Sequence, residues 1–390
     1  MPKTNLSKKA RREGNLVELY CGDCLDVLGR IPAKSVDLFC SDPPYLLGIL
    51  GKEWDRGQDF TPIWRKVLRT MKPGAFAYIM TSPRQDSFPK RIEELTEAGF
   101  KTAFYPFYWT YANGFPKAHS VAKALDKKEG RERKVVCRNP NSRENCTKDN
   151  TIFRSGTVGK TDYITVGDSP LEGSYAGSQP KPAVEVIVVA MKPLNERTYE
   201  AQAKANGHGI TWMDDCRIPY DAEAPASQRG RFPATLLVSD NILDNGRKPG
   251  QGHWPKTKST GFGKYGGGKS EYHGTGPKST AENYSSYFSL DAWAERNLPF
   301  LIVPKPSKRE KKLGLDGANP HCTIKPIQLM SYLITMGSRP GDVVLDCFLG
   351  SGTTGIAARR LGRRFIGIEI DPGYFQAAKK RMDAWMRQIA

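Results

Sequence analysis

The sequence predicts an α/β fold, built on a mostly parallel β-sheet with helices on both faces. Three observations support this class. Short apolar segments of strand length alternate with segments of helical periodicity in the N-terminal part of the chain, and the same alternation returns over residues 301–390. A glycine-rich turn also follows directly on one of the last apolar segments, as in sheets whose strands each lead into a helix.

The first part of the chain supplies alternating elements. In order, we predict a strand at 16–21, a helix at 25–28, a strand at 36–40, a helix at 64–71, a strand at 75–80, a helix at 84–98, a β-like segment at 104–111, and a buried strand rich in Val and Ile at 183–191. The Lys72-Pro73-Gly74 stretch is expected to end the helix at 64–71.

The last part returns to the same pattern. We predict a helix at 326–336, a strand at 343–346, a glycine-rich turn at 348–355, a helix at 354–361, a strand at 365–369 and an amphipathic helix at 374–386.

Two stretches between these parts are irregular. The first, 116–182, begins with a helical piece at 121–128 and then becomes polar, and the second, 193–298, has few strong periodicities. Glycines with basic and aromatic side chains dominate 247–278. A flexible surface loop and a segment that orders on a phosphate backbone both fit this composition.

Composition limits the function classes. The 390 residues carry 59 Lys and Arg against 41 Asp and Glu, a net charge of +18 that favours a polyanionic partner. No apolar run reaches the length of a membrane span, and the basic, polar N-terminal residues do not resemble a secretory signal. We therefore expect a cytoplasmic protein without a membrane partner. The eight cysteines are expected to be free thiols, and no zinc site or other metal site is predicted, since Cys21 and Cys24 have no second pair at zinc spacing.

Asp42-Pro43-Pro44-Tyr45 directly follows the predicted strand at 36–40, which puts it at the carboxyl edge of the sheet. Prolines withhold N–H donors, so carbonyl oxygens face the site. The Asp42 carboxylate and the Pro43 carbonyl could accept both hydrogens of an exocyclic amine and localise its lone pair for attack on a sulfonium methyl group. Tyr45 offers a ring on which an extruded base can stack. A proline-rich turn with a fortuitous Asp is the structural alternative.

The glycine-rich turn predicts a nucleoside-type cofactor. Gly350, Gly352 and Gly355 let the backbone approach a ligand, and a helix begins immediately afterwards. Glu369 ends the next strand, where its carboxylate could accept hydrogen bonds from two ribose hydroxyls. The spacing also matches the nicotinamide fingerprint, but too few residues follow for the rest of a dehydrogenase. A turn needed only for strand–helix packing is the other alternative.

Together these motifs resemble those of the DNA amino-methyltransferases, in the permuted order often called the β class, where the catalytic motif precedes the cofactor motif. The resemblance covers roughly the N-terminal 110 residues, the strand at 183–191 and the last ninety residues. It implies a seven-stranded, mostly parallel sheet with one antiparallel strand, circularly permuted. In this arrangement the N-terminal strand lies beside the last strand of the cofactor half.

The resemblance also implies site residues. Asp23, in a "GD" segment, would reach the adenine of S-adenosylmethionine, and His321-Cys322-Thr323-Ile324-Lys325-Pro326 resembles an "HPT.KP" helix entrance with Cys322 in place of proline. The cofactor-binding residues are then Asp23, Thr323, Lys325, Asp346, Phe348, Gly350, Ser351, Gly352, Thr353, Thr354 and Glu369. The expected DNA-contacting residues are Lys52 and Trp54, from a "GK.WD" extension, with Lys256, Lys258, Lys264, Tyr265 and Lys269 from the basic stretch.

The leading hypothesis is methyl transfer from S-adenosylmethionine to the N6 amine of adenine in double-stranded DNA. Cytosine N4 is the near alternative, although such family members more often have Ser in place of Asp42; RNA or a free nucleotide, a non-catalytic DNA-binding protein and a nicotinamide oxidoreductase are further alternatives. No obligatory protein partner is indicated, and both a monomer and a homodimer stay open. The predicted organisation is a catalytic half at 1–115, an inserted lobe at 116–182, a returning core strand at 183–192, a large, irregular target-recognition region at 193–300 and a cofactor half at 301–390.

Overall fold

A computed structural model describes most of the regular part of the chain. The described residues are 17–45, 59–110, 119–138, 163–178, 180, 183–219, 230–238, 289–290, 293, 312, 314–315 and 324–387. Within them, the strands are β1 (Val17–Cys21), β2 (Val36–Ser41), β3 (Met71–Thr81), β4 (Phe107–Thr110), β5 (Lys134–Arg138), β6 (Tyr163–Val166), β7 (Val184–Met191), β8 (Leu236–Val238), β9 (Val343–Asp346) and β10 (Arg364–Glu369). The helices are α1 (Cys24–Arg30), α2 (Thr61–Thr70), α3 (Phe88–Glu97), α4 (Val121–Glu129), α5 (Tyr199–Asn206), a 3₁₀ helix (Met213–Cys216), α6 (Ile327–Gly337), α7 (Thr353–Arg360) and α8 (Pro372–Arg387).

The principal sheet is mostly parallel, as predicted. Among the described residues it has eight strands in the order β1-β10-β9-β2-β3-β7-β4-β8. Only β7 in this part of the chain runs against its neighbours, pairing antiparallel with both β3 and β4. The prediction of one antiparallel strand is therefore confirmed.

The two ends of the chain meet in this sheet. Strand β1 pairs in parallel with β10, and Cys21 lies opposite Glu369. The expectation that the N-terminal strand joins the last strand of the C-terminal half is confirmed. This pairing brings side chains that are remote in sequence to one sheet edge.

The strand count differs from the predicted seven, because β8 adds an eighth strand beside β4. This strand comes from the stretch predicted as an irregular target-recognition region. The same stretch contributes α5, the 3₁₀ helix and the buried side chains of Cys216, Leu237 and Trp293 to the core. The prediction of irregular structure is thus wrong for this part of 193–300, where scattered apolar residues join the core.

Alternating side chains of the strands build one apolar cluster on each face of the sheet. Leu38 packs in the cluster that includes side chains of α6, α7 and α8. Its neighbour Phe39 packs in the other cluster, with Val27, Trp64 and Leu95 from α1, α2 and α3. The sheet is therefore covered by helices on both faces, as the sequence predicts.

Strand β3 begins four residues before the predicted start, so Lys72-Pro73-Gly74 lies within the strand. Gly74 has φ +78°, and a Cβ there would lie 2.7 Å from the backbone nitrogen of Gly209. Gly209 also donates a backbone hydrogen bond to Gly74. This glycine permits a close backbone contact where the sequence suggested a helix stop.

The chain divides into two compact units, 1–112 with 184–390, and 113–183. In the second unit, within which the predicted lobe at 116–182 falls, α4 accompanies an antiparallel ribbon of β5 and β6. Arg133 pairs there with Asp126 and Glu172. The ribbon lies in a stretch predicted to be irregular beyond its first helix.

No helix in the described ranges is long and apolar enough to cross a membrane. The cysteines in these ranges are free thiols, in agreement with the sequence-based expectation.

Candidate active site at the carboxyl edge of the sheet

Four neighbouring parallel strands, β1, β10, β9 and β2, end at one edge of the sheet. Each is ended or followed by an acidic residue: Asp23 after β1, Glu369 at the end of β10, Asp346 at the end of β9, and Asp42 after β2. The carboxyl ends of parallel strands are where open α/β sheets bind ligands. The topology therefore gathers the sequence-predicted acids along one line.

Asp42 is the first residue of the proline turn, and one of its two carboxylate oxygens is bound by Lys325. The Lys325 Nζ atom, near the N-terminus of α6, lies 2.5 Å from Asp42 Oδ2. Among the described residues, the other oxygen, Oδ1, is buried without a hydrogen-bond partner. A buried acceptor left unused is uncommon in proteins, and it identifies Oδ1 as the free acceptor of this site.

Glu185 is a site residue that the sequence reasoning missed. The Tyr45 hydroxyl donates a hydrogen bond of 2.6 Å to Glu185 Oε2, and Lys325 Nζ lies 3.3 Å from the same oxygen. Because β7 is antiparallel, its first residues, not its last, lie at this edge of the sheet. The prediction that one strand is antiparallel could have pointed to Glu185, because such a strand starts at the edge where the parallel strands end.

Two largely buried carboxylates and one buried ammonium group therefore lie together. The side chains of Asp42 and Glu185 are each 19% exposed and that of Lys325 is 8% exposed. Burial by itself lowers the pKa of Lys325, but Asp42 and Glu185 outweigh it and hold that pKa above its usual range. Burial, reinforced by the same two carboxylates, raises the pKa of Tyr45. Lys325 is thus charged and Tyr45 is a neutral donor at neutral pH.

Lys325 was predicted to bind the cofactor, and the structure shows contacts of its side chain within the protein. Its ammonium group pairs with the protein's own Asp42 and Glu185, and lies 5.3 Å from the centre of the Tyr45 ring. The two carboxylates at this edge require a countercharge, and Lys325 supplies it.

The glycine turn after β9 is tied to Glu369. The backbone N–H of Gly350 donates a 2.7 Å hydrogen bond to Glu369 Oε2, and that of Asp371 donates a 2.9 Å bond to Oε1. Burial raises the pKa of Glu369, and these two backbone donors oppose the rise. Each carboxylate oxygen keeps a second lone pair, so Glu369 can still accept hydrogen bonds from a ligand.

Two different structural requirements explain the three glycines of the turn. Gly350 and Gly352 have φ +53° and +83°, in the left-handed region. A Cβ on Gly355 would lie 2.7 Å from atoms of Met382 and Phe365, so this residue allows close packing of α7. The turn is shaped by the backbone, as its sequence predicts.

Several predicted cofactor-binding side chains make contacts within the protein. Asp346 is 1% exposed and accepts hydrogen bonds from the Ser41 hydroxyl at 2.5 Å and the Phe348 N–H at 3.0 Å. Burial raises the pKa of Asp346 to about 6, although hydrogen bonds from Ser41, Thr354 and Phe348 oppose this. The role the structure shows for Asp346 is to hold the glycine turn against the end of β2.

Ser351, Thr353 and Thr354 are also buried. The Ser351 hydroxyl accepts a 2.8 Å hydrogen bond from Arg381 of α8. Phe348 is partly buried, with its ring centre 5.6 Å from that of Phe60 and 6.0 Å from that of Trp64. These side chains fix the turn, while its backbone and Glu369 are the groups suited to a cofactor.

Asp23 lies next to Glu369 at the sheet edge. The Gly22 N–H donates to the backbone carbonyl of Glu369 at 2.8 Å. The Asp23 carboxylate caps α1 by accepting a 2.7 Å hydrogen bond from the Leu25 N–H. Its predicted contact with a nucleoside would add to this capping role.

The remaining predicted site residues lie outside the described residues. They are Thr323, Lys52, Trp54, Lys256, Lys258, Lys264, Tyr265 and Lys269.

Comparison with known proteins agrees with this arrangement of motifs. The model of a family described as DNA methylase, of the N6_N4 type, matches residues 36–380. The type II methyltransferase M2.DpnII of Streptococcus pneumoniae is 49% identical over 67 residues, which are 17% of this chain and 25% of that protein. The type II methyltransferase M.HinfI of Haemophilus influenzae is 48% identical over 74 residues, 19% of this chain and 21% of that protein. The chain therefore matches a quarter or less of the length of these curated relatives.

Solved structures were also found. The PvuII DNA methyltransferase, described as cytosine-N4-specific, is 18% identical with a TM-score of 0.46, over 95% of this chain and 92% of that one. The M1.HpyAVI–SAM complex is 16% identical with a TM-score of 0.40, over 94% of this chain and 99% of that one.

Proposed function

The chain belongs to the N6/N4 DNA methylase family, whose model covers residues 36–380, and from this premise we propose that it transfers a methyl group from S-adenosylmethionine to the N6 amine of adenine in DNA. One observation carries the proposal: Asp42 Oδ1 is a buried acceptor without a partner among the described residues, at the sheet edge that also bears Glu369. An exocyclic amine can supply the donor that this oxygen lacks.

The residues at this edge fit the cofactor. Glu369 is anchored by two backbone N–H groups and keeps lone pairs for ribose hydroxyls. The acidic character of the neighbouring strand ends suits a positively charged sulfonium. When bound, S-adenosylmethionine supplies an electrophilic methyl group.

In the proposed reaction, Asp42 and the Pro43 carbonyl prepare the target amine for methylation. Asp42 Oδ1 accepts one hydrogen of the amine and the Pro43 carbonyl accepts the other, which draws the nitrogen towards a tetrahedral geometry and localises its lone pair. Lys325 occupies Oδ2, so the carboxylate presents a single oxygen to the base. As the nitrogen gains a methyl group it becomes cationic, and its proton passes to Asp42 and then to water.

Tyr45 provides the surface on which the target base stacks. Its ring is fixed at the hydroxyl end by the hydrogen bond to Glu185. An aromatic face in this position stabilises a base that has left the duplex, and base extrusion is a requirement for chemistry on an amine that is otherwise paired.

Double-stranded DNA is the proposed partner. The net charge of +18 supports it, and the proposed contacts are Lys52, Trp54, Lys256, Lys258, Lys264, Tyr265 and Lys269. In the same proposal, 1–115 and 301–390 are the catalytic and cofactor halves in permuted order, and 193–300 carries target recognition in addition to the core elements described above.

Adenine is proposed over cytosine because the catalytic motif begins with Asp42, where cytosine-N4 enzymes more often have Ser. The test is to incubate unmethylated DNA with the protein and isotope-labelled S-adenosylmethionine, digest the DNA to nucleosides and identify the labelled product by mass. Labelled N6-methyl-2′-deoxyadenosine is expected. Labelled N4-methylcytosine would overturn the choice of base, and a labelled DNA product of neither kind would overturn the amine chemistry.

A further inference from the structure

Arg91 of α3 is a buried cation that contacts the catalytic turn. Its side chain is 3% exposed, and one terminal nitrogen donates a 3.0 Å hydrogen bond to the backbone carbonyl of Pro44. Pro44 lies between Asp42, which bears the free acceptor, and Tyr45. A hydrogen bond to this carbonyl therefore fixes the orientation of the peptide that joins the two functional side chains.

The guanidinium group is itself held in place. Its other terminal nitrogen donates to Glu94 Oε2 at 2.9 Å, and the Trp64 ring N–H donates to the same carboxylate oxygen at 3.3 Å. The guanidinium carbon lies 4.5 Å from the centre of the Phe60 ring and 5.2 Å from that of Trp64. The planar fork of Arg satisfies these contacts together, which a Lys ammonium group cannot do.

This arrangement is costly as a purely structural device. Burial lowers the pKa of Arg91 to about 10, with Glu94 and Tyr45 opposing the change. Replacing a buried ion pair by apolar side chains is often neutral or stabilising in proteins. A buried Arg–Glu pair beside the catalytic turn therefore calls for a role beyond stability.

The same aromatic rings reach the cofactor side of the edge. Phe60 and Trp64 each contact Phe348, the residue after Asp346 and Cys347 in the turn that leads to Gly350. Arg91, the two rings and Phe348 form a continuous set of contacts from the catalytic turn to the glycine turn.

We propose that Arg91 is a positioning residue for methyl transfer. By donating to the Pro44 carbonyl, it holds Asp42 Oδ1 and the Pro43 carbonyl where they can contact the target amine beside the cofactor turn. The inference rests on the proposed function. A displacement of reacting groups by about 1 Å can lower a rate by about 100-fold. Loss of the Pro44 contact should therefore slow the chemical step more than it weakens binding.

The test compares three variants of the full chain. Arg91→Lys keeps a positive charge beside Glu94, but it lacks the second terminal nitrogen with which Arg91 bonds Glu94 and the Pro44 carbonyl at the same time. Arg91→Met removes the hydrogen-bond donor. Arg65→Met is the matched control, because Arg65 forms an exposed ion pair with Glu97 between the same two helices, α2 and α3. Each protein is assayed by single-turnover methyl transfer to DNA, and its affinities for S-adenosylmethionine and DNA are measured separately, below the melting temperature of every variant used.

For Arg91→Lys we expect a single-turnover rate about 10- to 100-fold below that of the wild type, with both affinities within about threefold. Arg65→Met is expected to match the wild type. If Arg91→Met fails to fold, Arg91→Lys decides alone. A wild-type rate in Arg91→Lys, or a loss confined to binding, would overturn the inference while leaving the proposed function intact. A wild-type protein that transfers no methyl group from S-adenosylmethionine would overturn the proposed function, and this inference with it.

Discussion

Lys325 and Asp42 are separated by 283 residues in the chain, yet the Lys325 ammonium nitrogen lies 2.5 Å from Oδ2 of Asp42. The same ammonium group lies 3.3 Å from Glu185. One cation is therefore shared by two carboxylates, one after the parallel strand β2 and the other in the antiparallel strand β7, and the three groups keep one negative charge in excess. Electrostatics at this sheet edge depends on all three residues together.

Replacing Lys325 with Met should destabilise the protein, because it leaves Asp42 and Glu185 close together without a countercharge. Removing one partner of a buried ion pair costs about 3 kcal/mol or more, and the partial exposure of both carboxylates places the expected loss at the lower end. Urea unfolding at neutral pH measures the change in the free energy of unfolding.

Two companion variants test the cause of that loss. Lys325→Met combined with Glu185→Gln should recover part of the stability, since one of the two charges is gone. Arg65→Met, which breaks an exposed pair, should change stability little. Unchanged stability in Lys325→Met would contradict the electrostatic account of the site.

Tyr45 and Glu185 should act as one unit in catalysis, because a single hydrogen bond of 2.6 Å joins them. We expect Tyr45→Phe and Glu185→Gln each to lower the methyl-transfer rate about tenfold, and the double variant to be little slower than either. The coupling from this double-mutant cycle is expected to be about 1 kcal/mol. Fully multiplicative effects would show that the hydrogen bond does not orient the ring.

Glu369→Gln should weaken binding of S-adenosylmethionine. A carboxylate accepts from the backbone N–H groups of Gly350 and Asp371 at once, whereas an amide has one acceptor oxygen and would direct its NH2 group at the other donor. The expected loss is about 2 kcal/mol in binding free energy, measured by calorimetry. Glu18→Gln, an exposed change on the adjacent strand β1, is the control and should bind as the wild type does; equal affinity in Glu369→Gln would contradict the assignment of Glu369.

Asp346 should make stability depend on pH in a specific direction. Its pKa rises from 3.8 to about 6 in the folded protein because of burial, so the folded state favours the protonated form. This contribution to stability is complete below pH 3.8 and is lost as the pH rises through about 6. A shift of this size corresponds to about 3 kcal/mol.

The measurement is the free energy of unfolding of the wild type and of Asp346→Asn between pH 4 and pH 7. Asn cannot ionise, so the difference between the two proteins should move by about 2.4 kcal/mol in favour of Asn over this range, which is most of the full effect. A difference that is independent of pH would show that Asp346 does not titrate in this window.

The sequence predicted the parts of the fold that depend on local patterns. The strand at 343–346 matches β9 residue for residue, and the following turn is recognisable because its glycines occupy left-handed and closely packed positions. The pairing of β1 with β10 was expected from the family resemblance, whose permuted order of motifs places the N-terminal strand beside the last strand of the cofactor half. The positions of Asp42, Asp346 and Glu369 at one sheet edge could be predicted because each stands at or just after the end of a parallel strand.

Local sequence patterns did not predict the long-range contacts of the site. Glu185 lies near the start of a strand whose direction is set by its neighbours. Lys325 was expected to contact the cofactor because its segment resembles an "HPT.KP" helix entrance, and nothing in that segment indicates two carboxylates nearby. Arg91 belongs to a helix whose periodicity gives no sign of a buried charge. Cys216, Leu237 and Trp293 are isolated apolar residues within an irregular stretch, so their burial depends on the tertiary fold and not on any local period.

The central claim is that Asp42 prepares an exocyclic amine of DNA for methyl transfer, and the most direct test is Asp42→Ala measured against the wild type in a single-turnover assay with labelled S-adenosylmethionine. The variant should bind the cofactor with nearly wild-type affinity, because Glu369 and the glycine turn are unchanged, while its methyl-transfer rate should fall by about 100-fold or more. Full methyl-transfer activity in Asp42→Ala would contradict the account.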